Sequence, residues 1–487
     1  MNGREDVRAS FRKASLPYIH AATLERAVAA LRKALAAEND PTLAMVISAS
    51  PDPITRSRGD ELGVVVFAQG YPQHLLEQRG APNALTSDST RRTGVVATVD
   101  PVATIIDSYG FDNRLGGARI RAVNQPAPLD LYERYLQQRR LAVPIAAAAW
   151  TFVTIAGLLG LLALALRQRL SERTLAAAGA LAASLPWLAL ALLLVGHLPS
   201  LTYATVIPFL VAFVAFGVAF GRWVAARRGI LVAISWTGWV ILAILGIEAA
   251  LGWPAAVTPL AGGGQLDGGR FFGMGNIEIG LVLGCALFAA QRMGVPGGTA
   301  LIVACALVAG SPWTGSNYGA AITLFAAAGL WYGLRRGRAW WAIGLITALV
   351  TVVGMAVVSV MHRYLTSRPT HVTALLERTT GIGGLLDRFV DRLAIGADLV
   401  RDNPFALIPV LGTILLLLVV LRPPPAMARS FEGRDSWRDA VLVIVLGSIV
   451  AYVANDTGAA ALGFGFGTAL SGLLDVSLAT AREKMAA

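Results

Sequence analysis

The sequence predicts an α-helical polytopic membrane bundle preceded by a small α/β domain, and three observations carry that reading. The chain has 487 residues, of which 55% are hydrophobic and only 15% charged, with a mean hydropathy of +0.61. Such a balance over this length is that of a membrane protein. Runs of about 20 apolar residues, each able to cross roughly 30 Å of hydrocarbon, recur from Leu141 almost to the C-terminus. Residues 1–138 differ, being charged, broken by turn formers and alternating in pattern. The expected division is an extracytoplasmic α/β domain over 1–138 and a transmembrane domain over 139–487.

Within the first domain, "TLERAVAALRKALAAE" (23–38) predicts an amphipathic helix. "TLAMVISAS" (42–50) and "ELGVVVFAQG" (61–70) predict buried strands, and "TGVVATVD" (93–100) predicts another. "DPVATIIDSYGFD" (100–112) predicts a helix with Asp100 as N-cap and Gly110 as its stop. The first twenty residues contain no apolar core of the signal-peptide kind, so none is expected there.

The apolar segments fall at about 141–166, 174–196, 201–220, 230–250, 277–290, 298–310, 318–334, 340–361, 404–421, 439–455 and 458–476, about eleven transmembrane helices. The formal net charge is +11. The arginines gather in "RQRLSER" (167–173), "GRWVAARRG" (221–229), "QRMGVPGG" (291–298), "RRGR" (335–338) and the segment 422–439. These alternate along the chain with arginine-poor loops, so the basic charge reports membrane orientation and not nucleic-acid binding. By that rule the arginine-rich loops and the C-terminus are cytoplasmic, and the N-terminal domain lies outside. Residues 362–403 fall outside by parity yet carry six arginines interleaved with five acidic residues. The helical spacing of Leu385, Leu386, Phe389 and Leu393 predicts an interfacial amphipathic helix over about 385–403. Cys285 and Cys305 sit inside apolar spans and imply neither a disulfide framework nor a zinc site.

Four polar motifs fall at one side of the predicted membrane domain: "GGRFFGMGN" (268–276), "SPWTGSNYG" (311–319), "SRPTHV" (367–372) and "ANDTG" (454–458). The first belongs to an outer glycine-rich loop, 261–276. Polar groups at membrane depth are costly and are kept for function or satisfied inside the bundle, and irregular backbone there must face protein or a water-filled cavity. The motifs therefore predict one outward-opening polar cavity. Its candidate acid/base residues are Asp456, His371 and Glu278. Its candidate substrate-binding residues are Arg270, Asn276, Asn317, Arg368 and Asn455. Blander readings stand beside these: Arg270 suits an interfacial anchor, His371 a loop position, and Asn276 and Asn317 suit helix caps. No His, Asp and Glu cluster has metal-ligand spacing, "GGGQLDGG" (262–269) lacks the Lys-Ser/Thr of a P-loop, and no cofactor is expected.

The stretch "STRRTGVVATVDPVATIIDSYGF" resembles the C-terminal portion of the alkaline-phosphatase/sulfatase-like superfamily, in which a strand leads into an Asp-x-x-x-Thr helix; Asp100 and Thr104 match that spacing. The resemblance implies an extracytoplasmic phosphatase-like module, here degenerate or truncated. The nucleophile half has no counterpart, the strand at 42–50 ends in "SASPDP" without an Asp-His pair, and residues 1–138 hold only two histidines, His20 and His74. The whole arrangement resembles a bacterial family of polytopic membrane proteins carrying such a module. On that resemblance "RFFGMGN", "PWTGSN", "THV" and "NDTG" correspond to the family's outer motifs, with Ile277 intervening before Glu278.

Two functional classes fit these readings, and a third is plainer. A transferase acting on a polyprenyl- or lipid-phosphate-linked glycan would use an arginine for phosphate and a carboxylate or histidine for proton transfer. A transporter or flippase for the same substrate would use glycine-interrupted helices and polar residues at depth. A non-catalytic envelope assembly scaffold would use neither chemistry. The expected surroundings are membrane lipid and the bacterial plasma membrane.

Overall fold

A computed structural model describes residues 42–47, 65–70, 83–97, 100–108, 117–126, 129–261, 265, 272–276, 278–366, 390, 393–394, 397, 401, 406–455 and 458–486. The chain divides into two compact units. One comprises residues 1–86 and 121–128, the other residues 87–120 and 129–487. A division at 138 would instead cut a continuous helix, Leu129–Ala165.

The first unit contains two antiparallel strand pairs. β1 (Thr42–Ile47) pairs with β2 (Val65–Gly70) in the register Thr42 to Gly70. β3 (Asn83–Thr86) pairs with β4 (Arg121–Pro126), with an irregularity between Asn83 and Ala84. β1 and β2 coincide with predicted strands. The helix expected over 23–38 lies outside the described residues.

The second unit begins with α1 (Asp100–Ser108), where a helix starting at Asp100 was expected. The strand expected over 93–100 is not present in its described part: residues 93–97 form a turn and an unladdered extension. Their polar groups have other partners. The Ala97 N–H donates to Asp100 Oδ2 at 2.6 Å, and the Val95 carbonyl accepts from the Thr90 hydroxyl at 2.7 Å.

The remaining helices are α2 (Leu129–Ala165), α3 (Glu172–Ala183), α4 (Leu185–Leu194), α5 (Tyr203–Arg228), α6 (Ile230–Ala250), α7 (Glu278–Ala290), α8 (Val295–Gly310), α9 (Tyr318–Arg335), α10 (Trp340–Tyr364), α11 (Leu407–Leu421), α12 (Pro425–Phe431), α13 (Asp435–Ala454) and α14 (Gly458–Ala486). Each of the eleven apolar segments coincides with helix. Among the described residues, seven helices are long and apolar enough to cross a membrane, or eight if α11 and α12, bent by 69°, are one span. This is the architecture of a multi-pass membrane protein. The expected interfacial helix at 385–403 falls largely outside the described residues.

The difference between eleven apolar segments and seven or eight membrane-length helices arises at α7 and α8, of 13 and 16 residues, at α9, and at the bent pair α11–α12. α7 has 13 residues, all of them buried, and at about 1.5 Å per residue it is roughly 20 Å long. A helix enclosed by protein on every face has no lipid thickness to match. It packs closely on α14: a Cβ at Gly280 would stand 2.5 Å from Gly465 N, so only glycine permits this approach.

Antiparallel connections sort the helix termini into two ends. The starts of α7, α9 and α14 and the end of α13 form a loop end. The starts of α6 and α13 and the ends of α5, α9 and α14 form an arginine end.

Candidate functional site

The loop end is built around the segments 272–276 and 311–317. Gly273 has φ +92° and Ser316 has φ +48°; the first conformation is open to glycine at little cost. Met274 N donates to Gly315 O at 2.8 Å, Ser316 N to Ser311 O at 2.8 Å, and Asn317 N to Ala309 O at 2.9 Å. Gln265 Nε2 donates to Gly273 O at 2.9 Å. The Met274–Gly315 bond joins the two loops, and the others brace the second loop on itself and on α8 and the first loop on Gln265.

Asn317 is the joint between them. As N-cap of α9 its Oδ1 accepts from Ala320 N at 2.9 Å. Its Nδ2 donates to Met274 O at 3.1 Å, Gly275 O at 3.3 Å and Asn276 Oδ1 at 3.2 Å. Asn455 caps the end of α13, donating from Nδ2 to Ala451 O at 2.9 Å. Its side chain lies against Gly319, where a Cβ would stand 2.6 Å from Asn455 Cγ. Glu278 opens α7 with its carboxylate over Gly275: a Cβ there would lie 3.0 Å from Glu278 Oε1. Asn317, Asn455 and Glu278 are 0%, 2% and 6% exposed, and Asn276 is half-buried.

Four of the eight candidate residues, Asn276, Glu278, Asn317 and Asn455, are therefore brought into one packed polar layer. Arg270, Arg368, His371 and Asp456 lie outside the described residues.

The layer also contains groups that the sequence reading did not select. Residues 87–97 deliver two adjacent arginines to it. Asp100, fully buried, accepts from Ser87 Oγ and Ser89 Oγ at 2.5 Å each and from Ala118 N at 3.0 Å, besides Ala97 N. Thr104 Oγ1 donates to Asp100 O at 2.7 Å and accepts from Ile120 N at 2.8 Å. The Asp-x-x-x-Thr pair is thus the internal brace of this segment. The brace presents Arg91, at φ +54°, whose Nη1 donates to Pro312 O at 2.6 Å and whose guanidinium lies 4.3 Å from the centre of the Phe272 ring. Arg92 Nη2 donates to Gly252 O and Trp253 O at 3.2 Å each, and also to Gln265 Oε1. Burial pushes the Arg92 guanidinium down to about 10, so it remains a cation at neutral pH. His362, 1% exposed, places Nε2 2.8 Å from Gly310 O at the end of α10. The visible signal for Arg91 and Arg92 is an arginine pair inside the turn-forming run "SDSTRRTG"; what it docks against is not local in sequence.

A neighbouring part of the same end is fastened by a histidine–carboxylate contact and an amide. His197 Nε2 lies 2.5 Å from Glu248 Oε1, and Glu248 Oε2 accepts from Ala255 N at 3.0 Å. Gln138 Nε2 donates to Pro259 O at 3.0 Å.

Chemically, the polar layer combines the Glu278 carboxylate, the His362 imidazole, the carboxamides of Gln265, Asn276, Asn317 and Asn455, and the guanidinium cations of Arg91 and Arg92. That set suits an anionic group with a proton-transfer step beside it. Among the described residues no three His, Cys, Asp or Glu side chains converge as a metal site. Compared with known proteins, the chain matches no family model, no curated protein and no solved structure.

Proposed function

We propose that the chain is a bacterial plasma-membrane transferase that takes a polyprenyl- or lipid-phosphate-linked glycan at its loop end. The observation that carries this is Glu278: a buried carboxylate at the head of a wholly buried helix, lodged over Gly275 and beside the Asn276–Asn317 joint. A structural role alone is an expensive use of a carboxylate at such a position. In this reading Arg91 attracts the substrate phosphate, Glu278 moves the proton, and the asparagines hold the loops in place. The candidates Arg270, Arg368, His371 and Asp456 belong to the same proposal.

The test uses the full chain in nanodiscs with a polyprenyl-phosphate-linked oligosaccharide and a glycan acceptor. Glu278→Gln should lower turnover at least about a hundredfold, in the range of a lost general acid or base, while substrate binding is retained. Arg91→Gln should weaken binding of the phosphate. Movement of substrate between leaflets without a change of head group would establish the transporter or flippase instead. Binding with neither outcome would leave the envelope assembly scaffold, the reading favoured by Asn317, whose amide makes four hydrogen bonds within the fold.

The proposed orientation puts the loop end outside and the C-terminus in the cytoplasm, because the arginine-rich loops lie at the other end. Single cysteines at Ser200 and Arg336 test it. An impermeant thiol reagent on intact cells should label position 200 and spare 336, and the reverse pattern would invert the topology. The phosphatase-like resemblance of the N-terminal segment is likewise proposed as a remnant without hydrolytic activity. Full-length protein with added zinc should not turn over aryl phosphates.

A further inference from the structure

On α6 the residues Val232, Trp236, Trp239, Val240 and Ala243 form one stripe and line a groove of about 580 Å³. Spacings of four, three and four residues keep them on one helical face. The opposite face carries the buried residues Ala233, Ile234, Thr237 and Ile241, so α6 is half core and half groove. Trp236 and Trp239 are 53% and 40% exposed, large indoles open to the surroundings of the bundle.

The groove has a direction and a charged end. From Val232 to Ala243 the stripe rises about 16 Å at 1.5 Å per residue, roughly half the thickness of a hydrocarbon core and so about one leaflet. Its Val232 end belongs to the arginine end of the bundle. There Gln291 Nε2 donates to Leu231 O at 2.8 Å and fastens the turn after α7 to the first turn of α6. That fastening sets the neighbouring Arg292 at the groove, which it also lines. The Arg292 side chain is exposed and makes no hydrogen bond or ion pair among the described residues. Among the described residues no acidic side chain lines the groove.

We propose that this groove is a binding site for one anionic phospholipid, whose acyl chain lies along the Trp236–Ala243 stripe and whose phosphate pairs with Arg292. The shape suits a chain of one leaflet's length. Two tryptophans offer rigid apolar surface along which an acyl chain packs. The guanidinium offers a forked donor to phosphate oxygens. The lining contains no carboxylate to meet the ammonium of a zwitterionic head group, so charge complementarity selects the anionic lipid.

The experiment is native mass spectrometry of the full chain in detergent with dioleoyl phosphatidylglycerol or dioleoyl phosphatidylcholine, which have the same acyl chains. The unmodified protein should retain one phosphatidylglycerol about fivefold more tightly than phosphatidylcholine, the factor expected for one arginine near an anionic head group. Arg292→Gln should remove that preference. Trp236→Ala with Trp239→Ala should weaken both lipids to a similar degree. Arg336→Gln, another exposed arginine at the same end, should change neither. Equal retention of the two lipids by the unmodified protein, an unchanged preference in Arg292→Gln, or an equal loss in Arg336→Gln would each overturn the site.

Discussion

At the loop end, polar side chains bond mainly to backbone; at the arginine end, such bonds are joined by arginine–carboxylate pairs that cross from one helix to another. Asn317 serves four partners, three in the 272–276 loop and one at the start of α9. At the other end Arg222 Nη2 on α5 meets Asp475 Oδ1 on α14 at 2.6 Å and Gly179 O on α3 at 2.7 Å. Arg335 Nη1 at the end of α9 meets Asp439 Oδ2 at the start of α13 at 3.3 Å, and Arg434 Nη2 lies 4.0 Å from Glu483 Oε2 on α14. The first arrangement shapes loops, since a carboxamide supplies donors and an acceptor without a net charge to neutralise. The second fastens helices together and depends on both charges being present. A loop that must hold a site geometry and a bundle that must hold its helices thus use different polar chemistry.

The largest break in this comparison should come at Asp475, whose side chain is 7% exposed beside Arg222 at 28%. Asp475→Ala leaves a largely buried guanidinium without its carboxylate and should lower stability by about 3–5 kcal/mol, seen as a lower melting midpoint in detergent. Replacing both members, Arg222→Met with Asp475→Leu, should recover most of the loss, because a buried pair often does little better than well-packed apolar groups. A cavity of about 20 Å³ adjoins the pair, lined among others by Thr237 and Ser471, with room for one water molecule.

Next in size is the loop-end joint. Asn317→Ala removes an N-cap and two N–H donors shared among Met274 O, Gly275 O and Asn276 Oδ1, and should lower stability by about 2 kcal/mol. Gly273→Ala should do comparable damage by strain, since a side chain at φ +92° is disfavoured and its Cβ would overlap Gly315 O. Neither loss should respond to salt, which sharpens the contrast with the arginine end.

The smallest effect is expected at Arg335 and Asp439, whose contact is longer, 3.3 Å against 2.6 Å, and whose carboxylate is more exposed than that of Asp475, 21% against 7%. Arg335→Gln should lower stability by no more than about 1 kcal/mol at low salt. The difference should shrink at about 1 M salt, where charges are screened over about 3 Å, by less than for a fully exposed pair because both side chains are partly buried. A salt-independent loss there would show that packing on Trp331, whose ring centre is 5.7 Å from the guanidinium, outweighs the ion pair.

Much of the helical content was legible because it is local. Apolar runs form helices wherever the backbone must satisfy its own polar groups, and every expected apolar segment is helical. The N-cap at Asn317 and the helix starting at Asp100 follow from side chains acting within three or four residues. β1 and β2 were visible as short apolar strands, whereas β3 and β4 were not: "NALT" and "RAVNQP" carry too little pattern to separate them from loop. The expected strand over 93–100 failed in its described part because Asp100 gathers hydrogen bonds from residues up to 18 positions away, which strand periodicity does not register.

By itself, then, the sequence determined the membrane class, the positions of the helices and the grouping of asparagines, glycines and Glu278 near helix starts, since hydropathy and capping act over a few residues. Only the tertiary structure decided that Arg91 and Arg92 enter the loop end, that α7 is enclosed on all sides, and that Arg222 finds Asp475 253 positions away. The physical reason is that a charged side chain near the membrane requires a partner without specifying which one, and helix packing makes that choice.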